Sequence, residues 1–470
     1  MKYVSTRGQA PALDFADVLL TGLAADGGLY VPETWPQLSK SEIAALSGLT
    51  YAEAAERIIS PFVGSSIAPD ALRAMIKDAY GEFRHATVAP LVQITPSAWI
   101  LELFHGPTLA FKDVAMLLLA RLMDHVLAER GARATIVGAT SGDTGGAAIE
   151  AFRGRERTDV FILFPDGRVS DVQRRQMTTM SEDNVHALAL DGNFDDCQAI
   201  VKGLFNDTAF RKKVALSGVN SINWARIVAQ VVYYFTSAVA LGAPHRPVSF
   251  TVPTGNFGDI FAGFVAKKMG LPIEQLVIAT NVNDILARTL QTGRYEVRSV
   301  VPTSSPSMDI QVSSNFERLL FEESGRDAEA VNRWMDGLKQ SGSFTLDPDT
   351  LARISGAFDA ARTDEAGCAE TIRDLLGKTG YLSDPHTAVA VAAARRTRSS
   401  MEVPMIVLST AHPAKFPDAV EAASGVRPGL PDWLSDLHDR EERSERLPAD
   451  LAAVAAHIQS STRVVAEDAV

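Results

Sequence analysis

Cysteine is nearly absent: Cys197 and Cys368 are the two in 470 residues. Two thiols cannot build a disulfide framework or a thiolate metal centre, so the chain reads as one suited to a reducing compartment. Long uninterrupted apolar runs are also missing. Val114 to Ala120 is too short to cross a bilayer and Ile227 to Leu241 is interrupted by polar residues, so no membrane partner is expected. The amino-terminal stretch MKYVSTRGQAPALDFADVLL has no apolar core beside a basic segment, so no export signal is visible and the expected location is cytoplasmic. Positive charge is in deficit: 45 Lys and Arg stand against 57 Asp and Glu, a net charge of −12. That balance disfavours nucleic acid as a partner and leaves room for a small anionic ligand in a locally basic pocket. No His, Cys and acid cluster has metal-ligand spacing, so no metal is expected.

Present instead is an ordinary globular composition, 46% hydrophobic and 22% charged, over a length that implies two or three domains. The first ninety-odd residues alternate turns with amphipathic segments, with a tight turn at Asp26-Gly27-Gly28 and a Ser-capped helix expected over 41–49. From about Pro96 the pattern becomes short β-rich runs, then glycine-containing loops, then helical stretches, the signature of parallel α/β units. Strands are expected at 99–104, 133–137 and 248–252, each followed by a loop and then a helix, over 113–129, 145–152 and 259–269. Further strands are expected at 160–164 and 404–408. The reading divides the chain into an amino-terminal lobe over 1–95, an α/β lobe over 96–215 and a second α/β lobe over 216–470, with interleaved segments. Phe316 to Gly377 yields no motif, and the tail after Pro431 reads as peripheral.

Two glycine loops sit between a strand and a helix. In GATSGDTGG (138–146) and in PTGNFGD (253–259) unpaired amides and the positive helix end would converge on one point, which is how backbone binds anions. Thr140, Ser141 and Thr144 add hydroxyls to the first loop. Neither loop has the lysine of a nucleotide-binding phosphate loop or the spacing of a dinucleotide motif. Together they suit a ligand with two anionic ends, or a phosphorylated cofactor beside an anionic substrate. The third feature is HGPTLAFKD (105–113). Lys112 lies at the expected start of a helix among apolar neighbours, where the helix end and desolvation favour a neutral, nucleophilic amine.

These motifs, in order, resemble the threonine synthase family in its bacterial and fungal branch, a group of fold-type II pyridoxal-phosphate enzymes. The segments that carry the resemblance are HGPTLAFKD, SGDTG, PTGNFGD and STAHPAKF (409–416), supported by STRG (5–8), DGGLYVP (26–32), SINWARI (221–227) and SPSMDI (305–310). The resemblance implies a tryptophan-synthase-β-like α/β fold with two lobes around a cofactor cleft. It implies pyridoxal 5'-phosphate as cofactor, held covalently on Lys112, with its phosphate on the amides of Gly255, Asn256, Phe257 and Gly258. It also places Asp143 beside the cofactor's phenolic oxygen and Thr410 at the pyridine nitrogen, a hydroxyl that tempers the ring as an electron sink.

For the substrate, the resemblance implies O-phospho-L-homoserine, converted with water to L-threonine and phosphate by a carbon–oxygen lyase. Ser141 and Thr144 are expected on the substrate carboxylate. Asn223 and Arg226, spaced i and i+3, and Lys415 are candidates for its phosphate, Arg because its fork matches that anion. His105, His386 and His412 lie in turns and read as hydrogen-bonded structural groups. Three alternatives stay open: a related phospho-lyase releasing 2-oxobutyrate, a dehydratase or β-synthase acting on serine derivatives, and a non-catalytic module that binds phosphate ligands.

Overall fold

The structure, a computed structural model, describes residues 1–140 and 142–464. Two mainly parallel sheets organise the chain. The larger has the strand order Asp359–Arg362, Ile273–Thr280, Val248–Pro253, Met405–Ser409, Ala98–Glu102 and Leu91–Thr95, with the last pair antiparallel. The smaller is parallel throughout, in the order Glu445–Pro448, Val185–Asp191, Thr158–Pro165, Ala134–Ala139 and Leu216–Ser217. Central strands such as Val248–Pro253 and Thr158–Pro165 are buried along their full length, as strands covered by helices on both faces must be. Among the described residues no helix is long and apolar enough to cross a membrane.

The expected strand, loop and helix units are present with ends shifted by a few residues. The first helix runs Lys112–Glu129, the second Asp143–Phe152 and the third Gly258–Lys268. The helix expected over 41–49 is shorter, Lys40–Ala44, and starts one residue earlier because Ser39, not Ser41, is its cap and forms a reciprocal capping box with Glu42. Sheet membership cuts across the lobes expected from sequence. Ala98–Glu102 pairs with Met405–Ser409 in the larger sheet, while the following strands from Ala134 to Asp191 build the smaller one.

The tail after Pro431 is not peripheral. Glu445–Pro448 is the edge strand of the smaller sheet, and the helix Leu451–Ser461 buries Val454 and Ile458 against Leu188, Cys197 and Leu204. Its abundant charge lies on the outward faces, which hides the apolar residues that dock it. In the amino-terminal region, Trp224 is the hub: its ring packs on Tyr3, Trp35 and Phe62 at centroid distances of 5.9, 6.0 and 6.0 Å. The indole belongs to the helix Trp224–Ala240, so this contact ties the amino-terminal segments to the SINWARI turn.

Candidate active site

Four connections leave the carboxyl ends of parallel strands and meet: 103–111, the turn holding Thr140 and Gly142, 254–257 and 410–416. This is where ligands bind in open α/β sheets, because helix amino termini and strand carboxyl ends converge there. The first and last are joined by backbone. The Phe111 amide donates to the Thr410 carbonyl at 2.9 Å and the His412 amide to the Leu109 carbonyl at 3.0 Å. Leu109 adopts φ +60, a left-handed conformation uncommon for a residue with a side chain, and so turns the chain into the Lys112 helix.

Lys112 is buried at the first position of that helix. Its Nζ lies 3.4 Å from Ser307 Oγ and 3.6 Å from Asp143 Oδ2. Burial pulls its ammonium pKa below the usual lysine value; the nearby Lys415 and Arg226 cations pull the same way and Asp143 opposes them. The expected direction is therefore present, with desolvation rather than the helix end as the leading cause. Asp143, at the start of its own helix, accepts from Gln173 Nε2 at 3.0 Å and from Ser307 Oγ at 3.2 Å. Burial alone would raise this carboxyl, but the Lys415 and Lys112 ammoniums outweigh it and hold the acid far below its ordinary range.

The loop that precedes Asp143 is less open than its sequence suggests. Thr140 Oγ1 accepts the amides of Gly142 and Gly145, both at 2.9 Å, so two N–H groups expected to face an anion are engaged inside the loop. Gly142 has φ +147, and an added Cβ would stand 2.4 Å from the Gln173 amide group, so only glycine fits there. Thr144 is half-buried in the first helical turn, and Ser141 lies outside the described residues.

The PTGNFG loop keeps its amides free. Its carbonyls are held from outside: Ser313 Oγ donates to the Gly255 carbonyl at 2.7 Å, and Asn315 donates to the Asn256 carbonyl from both its backbone and its side chain at 3.0 Å. The amides of Gly255, Asn256, Phe257 and Gly258 have no hydrogen-bond partner among the described residues. Phe257 sits at φ +64 and closes the turn onto the helix Gly258–Lys268, which adds its positive end to the cup. A Cβ on Gly255 would meet the Ser307 carbonyl at 2.5 Å. Ser307 therefore touches both halves of the site, with its hydroxyl at Lys112 and Asp143 and its backbone against the amide cup.

Of the residues expected at the substrate phosphate, Arg226 alone remains available. Its guanidinium is buried, donates to the Val219 carbonyl at 3.1 Å, leaves Nε unpartnered and has no carboxylate within ion-pair distance among the described residues. Burial lowers its pKa to about 10. A desolvated cation without a counter-ion is costly unless an anion arrives. Asn223 is engaged elsewhere: it caps the helix, accepting from the Ala225 amide at 3.1 Å, and donates to the Leu19 carbonyl at 2.9 Å. As the cap it also lies outside the helical face that its i, i+3 spacing suggested. Lys415 is fully buried, with contacts to the Thr108 carbonyl, Gln176 Oε1 and Asp143 Oδ1 at 2.7, 2.8 and 3.1 Å. Its three donors are taken, so it acts as an internal counter-ion rather than a free phosphate ligand. Thr410 is buried, and its hydroxyl has no partner among the described residues.

Ser307 lies in SPSMDI, one of the segments that carry the resemblance, although nothing local in it signals its chemistry. Sequence reasoning missed other members of this wall. His386 Nδ1 lies 2.6 Å from Asp384 Oδ2, and its Nε2 accepts the Ser307 amide at 3.3 Å, so a turn histidine with a structural reading sits one contact from Lys112. Arg318, buried in the segment without motifs, donates to the carbonyls of Tyr30 and Ile222 at 3.0 and 2.7 Å and also to Asn315. It thereby clamps the residue that holds the amide cup. The proximity of Asp384 and His386 in sequence was the one available hint.

A buried lysine beside a carboxylate, an amide cup at a helix start and a free buried arginine, all at strand carboxyl ends, define a site for a phosphorylated carbonyl cofactor and an anionic substrate. The family profile for "Pyridoxal-phosphate dependent enzyme" matches residues 84–409, flanked by "Threonine synthase N terminus" over 2–80 and "Threonine synthase, C-terminal" over 387–458. A threonine synthase from Pseudomonas aeruginosa is 55% identical over 97% of this chain and 98% of its own. The structure of a pyridoxal-phosphate-bound threonine synthase from Brucella melitensis has 62% identity and a TM-score of 0.97, covering 99% of this chain and all of that one. The yeast threonine synthase structure has 42% identity and a TM-score of 0.93 over 98% of each chain. The chain belongs to the threonine synthase family of pyridoxal-phosphate-dependent lyases.

Proposed function

We propose that this site converts O-phospho-L-homoserine and water to L-threonine and inorganic phosphate. The observation that carries the reading is Arg226, a buried guanidinium lacking a counter-ion, beside a separate amide cup at 255–258. Two anion positions suit a phosphorylated cofactor together with a phosphorylated substrate. The residues fit pyridoxal phosphate: Lys112 for its aldehyde, Gly255 to Gly258 for its phosphate, Thr410 for its ring nitrogen and Asp143 beside its phenolic oxygen. When bound, that cofactor supplies a ring that accepts the electron pair left by a departing proton.

The chain's own groups do the rest. Lys112 Nζ, kept largely desolvated, takes the substrate's α-proton and returns a proton later in the cycle. Asp143 and Ser307 orient that nitrogen from one side. Arg226 holds the substrate phosphate and neutralises charge as it leaves, while Thr144, with Ser141, receives the substrate carboxylate. A cytoplasmic setting belongs to the same reading and is supported by two buried free thiols, Cys197 and Cys368.

The test is incubation with O-phospho-L-homoserine, with threonine, phosphate and 2-oxobutyrate measured together. Equal release of threonine and phosphate is expected; 2-oxobutyrate as the main product would replace this reading with a phospho-lyase. Lys112→Ala should lower turnover by about 10³-fold or more, and full activity in that variant would overturn the assignment of the lysine.

A further inference from the structure

Away from the cleft, His186, Glu445 and His457 converge on the outer edge of the smaller sheet. They come from three elements, the strands Val185–Asp191 and Glu445–Pro448 and the helix Leu451–Ser461. One potential ligand atom from each lies within 4.8 Å of the others. Their positions in the chain have no metal-binding spacing, so only the fold reveals the cluster. We propose that these side chains form a site for a divalent transition ion of the zinc class, which fastens the carboxy-terminal strand and helix to the sheet.

The donor set is the first argument. Two imidazoles and one carboxylate suit zinc, with a fourth position left to water. Metal–ligand distances of about 2.0–2.2 Å would require the three groups to draw together by about an ångström. Glu445 can move to do so, since its side chain is 54% exposed, and its exposure gives an ion a path from solvent.

Unpaired nitrogens are the second argument. Nε2 of His186 and Nε2 of His457 are both buried without a hydrogen-bond partner. A desolvated ring nitrogen left unpaired is destabilising, and each imidazole can relieve one such nitrogen by binding the ion through it. The present partner of His457 is Glu445, with Nδ1 at 3.3 Å from Oε2. The His186 ring is held in plane by Phe161, stacked at 4.2 Å with 5° between the rings, so one ligand is already oriented. The other candidate carboxylate nearby, Asp159, is engaged with Arg463 and Thr462 and leaves the set at three.

The test uses the full chain with its cofactor. After chelator treatment, equilibrium dialysis at micromolar free zinc followed by metal analysis should give one zinc per chain. The His186→Gln/His457→Gln double variant should lose it, and Glu445→Gln, at an exposed position that leaves folding undisturbed, should weaken it by tenfold or more. Zinc should also raise the thermal midpoint of the wild-type protein and not that of the double variant, with circular dichroism and cofactor absorbance checking that the variants fold. Equal zinc content in wild-type protein and Glu445→Gln, or less than one zinc per wild-type chain, would overturn the proposal.

Discussion

The Lys415 ammonium and the Asp143 carboxylate, both buried, meet at 3.1 Å. Neither is exposed enough to find water as a substitute partner. Lys415→Met should therefore cost about 3–5 kcal/mol, the penalty for stranding one member of a buried pair. The sign with pH follows from Asp143: its folded pKa is depressed, so its contribution is present above the unfolded value of 3.8 and is lost only in strong acid. Without Lys415 less of that contribution exists to be lost, so the stability gap between the two proteins should be widest above the unfolded value of 3.8 and narrow as pH falls below it. Denaturant midpoints of both proteins from about pH 2 to pH 7 check this, and parallel profiles would count against the pair.

Gly255→Ala should loosen the cofactor, because its new Cβ would press on the Ser307 carbonyl, which is backbone and cannot step aside. Overpacking of this kind costs about 1–3 kcal/mol, or about 5- to 150-fold in cofactor affinity if the amide cup absorbs the strain. Titration of cofactor-free enzyme with pyridoxal phosphate measures it. Gly356→Ala, which meets open space, is the control and should bind as the wild type does.

His386 acts on the site through Ser307. Replacing it with Phe removes the acceptor for the Ser307 amide, and kcat should fall by up to about 10²-fold with little change in the amount of bound cofactor. A shift in the cofactor's visible absorption should accompany the loss, since Ser307 touches Lys112 and Asp143. An unchanged spectrum with lower stability alone would make the histidine purely structural.

Asp259 follows the amide cup, accepts from Tyr233 and Tyr234 through Oδ1 at 2.5 and 3.1 Å, and has Oδ2 buried without a partner. Burial raises its pKa to about 7, despite the two hydroxyls. A carboxyl raised on folding favours the folded state at low pH, and that advantage is lost as pH climbs from the unfolded value of 3.8 toward 7. Asp259→Asn should consequently gain on the wild type as pH rises, with a larger difference in denaturant midpoint at pH 8 than at pH 5.

Much of this site was legible because glycine loops interrupt apolar strands at 138–146 and 253–259, and because Lys112 follows an unusual turn. Local patterns could not say which strand lies beside which. Nothing in AWILE announces that it pairs with Met405–Ser409 rather than with Ala134–Ala139. Asn223 and Lys415 resemble ligands in sequence because the contacts that occupy their donors, to Leu19 and Asp143, come from distant parts of the chain. Arg318 and the carboxy-terminal strand were missed for one reason: charge reads as surface until the fold shows what covers it.

The edge position of Glu445–Pro448 has a consequence for biogenesis. Translation delivers the neighbour of Val185–Asp191 only after the long intervening stretch from 192 to 444, so a nascent chain carries that β-edge unpaired while the whole stretch is made. Chains truncated upstream of that strand should aggregate rather than accumulate as a smaller enzyme.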